Sequence, residues 1–302
     1  MTQAGTAKGI LLALIANFIW GIAALYWIQT KPIGPVDVMA HRALWTLPVT
    51  FFIVLFFGRL SETLALMRSL KFCFWIALAA LMLTINWGVY VFAVTNERAT
   101  EASLGYFMLP LLTIALGVFM FGERPKPVHI LAILLAIIAV LVQLFAYGSL
   151  PWVSLTLAMS FALYGAIRKQ ISADSMQGLF FESLCMAPFA AIWILRHDGA
   201  GMGVHGLKVD LFLLCAGAFT AAPLLTYVAA TRVLALSTIG LLTYVGPSIQ
   251  LIVALFVLKE PITTITIATF GLVWLGVIAV TVEAGYSARK LRKFRTETSQ
   301  KL

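Results

Sequence analysis

The sequence predicts an all-α polytopic membrane protein: ten transmembrane helices arranged as two inverted five-helix repeats. Three observations carry this prediction. Only 11% of the 302 residues are charged and 62% are hydrophobic, with a mean hydropathy of +0.99. A soluble domain carries about 25% charged residues because its surface must face water. The apolar residues also gather into ten runs of bilayer length, and the second half of the chain echoes the first.

The runs cover residues 9–28, 37–57, 72–94, 102–121, 128–146, 151–167, 178–195, 211–230, 237–258 and 264–282. A helix needs roughly 20 apolar residues to cross a hydrocarbon core about 30 Å thick. It satisfies its own backbone hydrogen bonds there, so it is the default spanning element. A β-barrel would show shorter segments of alternating polarity, and the chain has none. The run at 151–167 is the shortest and most polar. Most connections are short and carry Pro, Gly or charge, as in Lys31-Pro32-Ile33-Gly34-Pro35.

Lys and Arg set the expected orientation. With a cytoplasmic amino terminus, fifteen basic residues fall in the segments on that side and five on the other, with Arg42 inside a run. Basic residues concentrate in cytoplasmic loops, so both termini are expected there, in an inner (cell) membrane. The tail from Ala288 to Leu302 holds six Lys or Arg against one Glu. It reads as an orientation signal and anionic-lipid anchor, worth about 1 kcal/mol per basic residue. The net charge of +9 does not imply nucleic acid, because the basic residues are scattered over loops. The first run is too long for a signal-peptide core and lacks a clear cleavage site. Cys73, Cys185 and Cys215 have no C-x-x-C spacing and read as small buried apolar residues. The expected partners are a lipid bilayer and a small-molecule substrate, with no metal, no cofactor and no nucleic acid. Oligomeric state is not legible.

Sliding the chain by 137 residues lays segment 90–123 on 227–260 without a gap. Tyr90 then meets Tyr227, Phe107 meets Tyr244, Pro110 meets Pro247 and Glu123 meets Glu260. A looser match sets Trp20-Gly21 on Tyr164-Gly165. The expected division is residues 1–147, 148–285 and a basic tail, 286–302. Five spans per repeat is an odd number, so the second repeat enters the membrane from the opposite side. Such repeats, with a site near the midplane, recur in secondary transporters.

The strings NWGVYVFAVTNERATEASLGYFMLPLLTIALGVFMFGER (86–124), HRALW (41–45), FALYGAIRK (161–169), GLFFESL (178–184) and ALSTIGLLTYVGPSIQLIVALFVLKEP (235–261) resemble the RarD subgroup of the EamA drug/metabolite transporter superfamily. The resemblance runs over residues 8–285. It implies a ten-helix fold whose central cavity is lined mainly by helices 1, 3, 4, 6, 8 and 9. It implies no single substrate: members are commonly labelled chloramphenicol-resistance permeases, and relatives export amino acids and other metabolites. An exporter or permease of small organic solutes working by alternating access is the function expected. The alternatives are a channel-like facilitator or a membrane-embedded enzyme. No filter-like loop and no catalytic constellation is visible for either.

Polar residues inside the runs are the candidates for chemistry, since an ionised group at mid-bilayer costs on the order of 3 kcal/mol or more. His41 and Arg42 lie about one turn into the second run. Arg42 either binds an anionic group or gates the outer side, or it snorkels to the interface. Glu182 either carries a coupling proton or pairs with Arg168 or Lys169. Asn86 and Tyr90 stand i, i+4 on one helical face. With Tyr106, Tyr164, Tyr227 and Tyr244 they are expected to line a substrate cavity, where aromatic rings and a few polar groups suit amphipathic solutes. Asn86 is expected to be free there, replaceable by Leu without a folding cost. Pro110 and Pro247 each remove a helical hydrogen bond and are candidate hinges. Glu123 and Glu260 read as terminal ion pairs or gate latches.

Overall fold

The computed structural model describes residues 3–121, 126–168, 170–231, 234 and 242–299, and every regular element among them is helical. Glu123, Lys169 and Arg232 lie outside the described residues. The chain opens with α1 (Gln3–Gly21), which bends by 42° into α2 (Ala23–Trp27) and a 3-10 turn at Ile28–Thr30. There follow α3 (Pro35–Phe56), the short α4 (Leu60–Leu66), α5 (Leu70–Thr95), α6 (Ala99–Phe121) and α7 (Pro127–Tyr147). The remainder comprises α8 (Trp152–Arg168), α9 (Ser175–Arg196), α10 (Leu207–Thr231), α11 (Val245–Ile252) with a π turn at Val253–Val257, and α12 (Thr264–Ser299).

Seven of these helices are long and apolar enough to cross a bilayer, and the bent α1–α2 pair makes an eighth. Two of the ten expected runs fall on shorter apolar helices, the 17-residue α8 and Val245–Val257. The chain is therefore a multi-pass helical membrane protein.

Local chemistry explains where the helices begin. Pro stands in the first turn of α3 and α7, where a missing N–H costs nothing. The Ser69 hydroxyl accepts the Phe72 N–H at 3.3 Å. Asp174 and Gln177 form a reciprocal capping box on α9. Within the spans, hydroxyls turn back onto their own helices: Thr46, Thr50, Thr84 and Thr220 each donate to the carbonyl four residues earlier. A hydroxyl in lipid needs such a partner.

Small residues let the backbones approach. A Cβ on Gly105 would stand 2.8 Å from the Ser154 carbonyl oxygen, tying α6 to α8, and one on Gly217 would collide with the Trp45 carbonyl, tying α10 to α3. The principal packings are α6 on α8, α3 on α9 and α10, α5 on α8 and α9, α1 on α10 and α11, α6 on α11, and α7 on α12.

The candidate hinges sit in unlike surroundings. Pro110 lies inside an uninterrupted α6. Pro247 lies in the first turn of α11, just past a turn at Tyr244, and its carbonyl accepts the Ser103 hydroxyl at 2.9 Å. Among the described residues, a bend of 42° falls at Gly21–Ile22, where Gly21 packs against Ile249. Among the described residues, Glu260 forms no solvated ion pair. Its carboxylate accepts the Ala99 and Thr100 N–H groups at 2.6 and 2.8 Å, capping α6 from the far half of the chain. The first-turn N–H groups have no intrahelical partner, so this contact fills a real vacancy.

Candidate functional site

Two polar clusters are buried among the spans. The first is built around Arg42, 8% exposed, on α3. Its guanidinium carbon lies 3.9 Å from the ring centroid of Trp87 (α5) and 4.8 Å from that of Trp27 (α2). Its Nε donates to the Thr220 hydroxyl (α10) at 3.1 Å. The charge therefore does not snorkel; it is folded into the bundle and held by indole faces, which attract cations. Neighbouring His41 turns away, its Nε2 at 2.7 Å from the Ala200 carbonyl oxygen. A carbonyl only accepts, so Nε2 carries the proton.

Asn86, Tyr90 and Tyr106 adjoin this cluster. The Asn86 amide donates to the Leu157 carbonyl at 2.9 Å and the Ser160 hydroxyl at 3.1 Å, and its oxygen accepts the Tyr106 hydroxyl at 3.1 Å. The amide is thus engaged across α5, α8 and α6, and the expectation of a freely replaceable cavity group does not fit that geometry. Tyr90 stands 5.9 Å from Tyr106, ring to ring. Tyr90 is buried, and its hydroxyl has no partner among the described residues.

The second cluster brings together the strings at 161–169 and 178–184. Glu182, 0% exposed on α9, lies 3.6 Å from the Arg168 Nε and accepts the Tyr164 hydroxyl at 3.2 Å. Arg168 also donates to the Asp174 carbonyl at 2.9 Å. Gly178 leaves the space for this guanidinium, which a Cβ there would strike. From Asp174 the network continues to Arg59, which also holds Glu62 at 2.7 Å. Gln177 reaches Thr63 at 3.2 Å. The segment joining α3 to α4 is thereby tied to the start of α9. At this exposed end, the hydrogen bonds from Arg59 hold the Glu62 carboxyl below its usual range.

Phe161 connects the clusters, with its ring 6.4 Å from Tyr106 and 5.5 Å from Tyr164. Tyr227 and Tyr244 stand apart from both. Tyr227 packs 5.5 Å from Trp20, and Tyr244 stacks on Phe107 at 6.3 Å within the core of α6, α7 and α12. A cleft of about 370 Å³ lies among the ends of α5 to α8 and the start of α12, lined by Glu101, Gln143, Tyr147, Glu260 and Phe270. Of the candidate residues, its lining includes Glu260.

Trp27, Trp87 and Thr220 were not singled out from the sequence. Trp87 stood next to Asn86 in a quoted string, but Thr220 and Trp27 carried no signal, because only tertiary packing brings them to Arg42.

Residues 7–145 match the EamA-like transporter family. Over 291 residues the chain is 37% identical to Protein RarD of Salmonella typhi, covering 94% of this chain and 98% of that protein. Over 297 residues it is 35% identical to an uncharacterized transporter of Vibrio cholerae, covering 96% and 98%. A solved crystal structure at 17% identity superposes with a TM-score of 0.62 over 91% of this chain and 98% of its own, a likeness of fold. The chain belongs to the EamA-like transporter family, within its RarD group.

Proposed function

We propose that the chain is a secondary transporter that exports small organic solutes across the inner membrane by alternating access. Residues 1–147 and 148–285 are its inverted five-helix halves, and 286–302 form a cytoplasmic tail. The observation that carries this reading is a packing pattern that returns to itself when the halves are exchanged. The pairing of α5 with α8 has its counterpart in α10 with α1, that of α6 with α8 in α11 with α1, and that of α3 with α10 in α9 with α5. The pairs α3 with α9, α6 with α11 and α7 with α12 each join an element to its own twin. Helix starts agree: Leu70 and Leu207 are 137 residues apart, as are Pro127 and Thr264. The twins α3 and α9 are both 22 residues long, with Pro48 and Pro188 at the same place.

Matched residues in unlike settings also support alternating access. Tyr90 is buried beside Tyr106, while its twin Tyr227 is half-buried against Trp20. A two-fold duplication caught with one face sealed produces this inequality, because in alternating access equivalent gates are never both open. At the Tyr90 end the seal includes Tyr26, stacked on Phe219 at 3.9 Å and donating to the Phe212 carbonyl. Asn86, Tyr90, Tyr106 and Tyr164 then line the solute path, Tyr227 and Tyr244 border its opposite mouth, and Pro110 and Pro247 flex with each half. Proton coupling is assigned to Glu182, which has no exposed surface.

Everted vesicles from cells producing the protein test the reading with a solute panel. Saturable accumulation accelerated by the same solute preloaded on the opposite side is expected. Linear, non-saturating flux would replace the carrier with the channel-like alternative. A phosphatase fused after Leu302 is expected to be inactive; high activity would reverse the orientation or make the span count odd.

A further inference from the structure

Arg42 has no built-in counter-charge. No carboxylate pairs with it among the described residues, although Glu182 on the twin helix α9 has Arg168 for that purpose. The described residues supply one acceptor, the Thr220 hydroxyl at Nε, and two indole faces. Those faces favour the cation but accept no N–H in the guanidinium plane, where the remaining donors of the fork lie. A buried charge without a counter-ion is expensive, and the expense persists in a fold only where something else meets it.

A second donor lies nearby with the same deficit. The Tyr90 hydroxyl, on a side chain 5% exposed, has no partner. Tyr26, Tyr90 and Tyr106 pack in one cluster with Trp27, whose ring faces the Arg42 guanidinium. Tyr106 spends its hydrogen on Asn86 and Tyr26 on the Phe212 carbonyl. Tyr90 alone of the three is uncommitted. The site is thus rich in donors, poor in acceptors and walled by aromatic rings.

We propose that Arg42 anchors the carboxylate of an aromatic organic acid, with Tyr90 as its second hydrogen-bond donor. The inference rests on the transporter reading for the solute's passage, though not for its binding. A planar fork matches two carboxylate oxygens where a point-like ammonium does not. The ring of the acid finds Tyr106 and Phe161, which stand 6.4 Å apart in an edge-to-face arrangement. The class selected is a monoanion with an aromatic body; its neutral amide lacks the charge the site is missing.

The test is calorimetric titration of the purified protein with phenylacetate, 3-phenylpropionate and their amides. The acids are expected to bind saturably and the amides at least about tenfold more weakly. Arg42→Gln should remove the preference for acids. Arg42→Lys should retain part of it, and Tyr90→Phe should weaken the acids severalfold while leaving the amides unchanged. Tyr90→Phe removes only an unpartnered hydroxyl, so it reports even where Arg42→Gln fails to fold. Equal binding of acid and amide, no binding of either acid to the wild type, or unaltered acid binding in Tyr90→Phe and Arg42→Lys overturns the proposal. Uptake into proteoliposomes separates it from the transporter reading. Acid that binds but never crosses sinks the transport reading alone, and neutral solutes that cross while acids do not bind sink the anion site alone.

Discussion

Asn86→Leu isolates the hydrogen-bond bridge between α5, α6 and α8. Three contacts are lost, to the Leu157 carbonyl, the Ser160 hydroxyl and the Tyr106 hydroxyl, at 2.9 to 3.1 Å. Ser160 keeps its bond to the Thr156 carbonyl at 2.6 Å, so the one group stranded is the Tyr106 hydroxyl. Interhelical hydrogen bonds in membrane bundles average about 0.6 kcal/mol, so three amount to about 2 kcal/mol. A stranded hydroxyl in a buried setting accounts for about 1 kcal/mol of that or more. Burial of the leucine offsets little, since lipid is already apolar. The measurement is denaturant or thermal unfolding in detergent of Asn86→Leu, Tyr106→Phe and the double variant. Tyr106→Phe is expected to cost about 1 kcal/mol, and the double variant no more than Asn86→Leu alone, because the second change removes a group that the first had stranded. Fully additive losses would mean that Asn86 and Tyr106 act independently, and the bridge would be refuted.

Three further outcomes follow from the contacts. Arg168→Ala leaves Glu182 buried without its cation and should cost about 3 kcal/mol or more in unfolding experiments; Gly178→Ala, which drives the guanidinium off α9, should reproduce part of that loss, and wild-type stability in both would dissolve the cluster. Glu260→Ala removes two N–H acceptors from the start of α6 and should cost about 1–2 kcal/mol, whereas Glu260→Gln, which keeps one acceptor, should cost less; equal losses would place the effect outside the cap. Because the Glu62 carboxyl is held low in the folded state, its contribution is present above the usual carboxylate range and fades as pH falls through the lowered value. Acid-dependent loss of stability should therefore be smaller in Glu62→Gln, and an unchanged pH profile would exclude a stabilising Arg59–Glu62 pair.

The sequence made the solvent legible before it made the site legible. Hydropathy and run length reported lipid directly, and the α helices fall where the runs predicted, because a backbone in hydrocarbon has one local solution. The count was harder, since among the described residues α8 and Val245–Val257 are shorter than a span demands. Asn86 and Tyr90 were singled out by face and repeat, and they do adjoin Tyr106. The partners were not legible: Leu157, which meets Asn86, and Thr220 and Trp27, which meet Arg42, come from other helices, and the contacts depend on crossing geometry that no periodicity encodes. Depth was misread for a related reason. Counting residues from the span's end placed Arg42 near an interface, but the side chain turns inward toward two indoles.

The twin helices carry the sharpest asymmetry in the molecule. Arg42 is the eighth residue of α3 and Glu182 the eighth of α9, each seven residues from its helix start. On the inverted-repeat reading the two positions are equivalent and lie at matched depths from opposite faces. One holds a cation and the other an anion. Their neutralisation differs just as sharply, because Glu182 meets Arg168 from the same half whereas Arg42 meets only aromatic faces and a hydroxyl. A gate that carries its own counter-ion is stable when empty. A gate that lacks one is stabilised by whatever supplies the missing charge, and a ligand shifts a conformational equilibrium only through such differential affinity. An anionic solute at Arg42 would do for one half what Arg168 already does for the other, so solute occupancy and the state of the gate become one equilibrium.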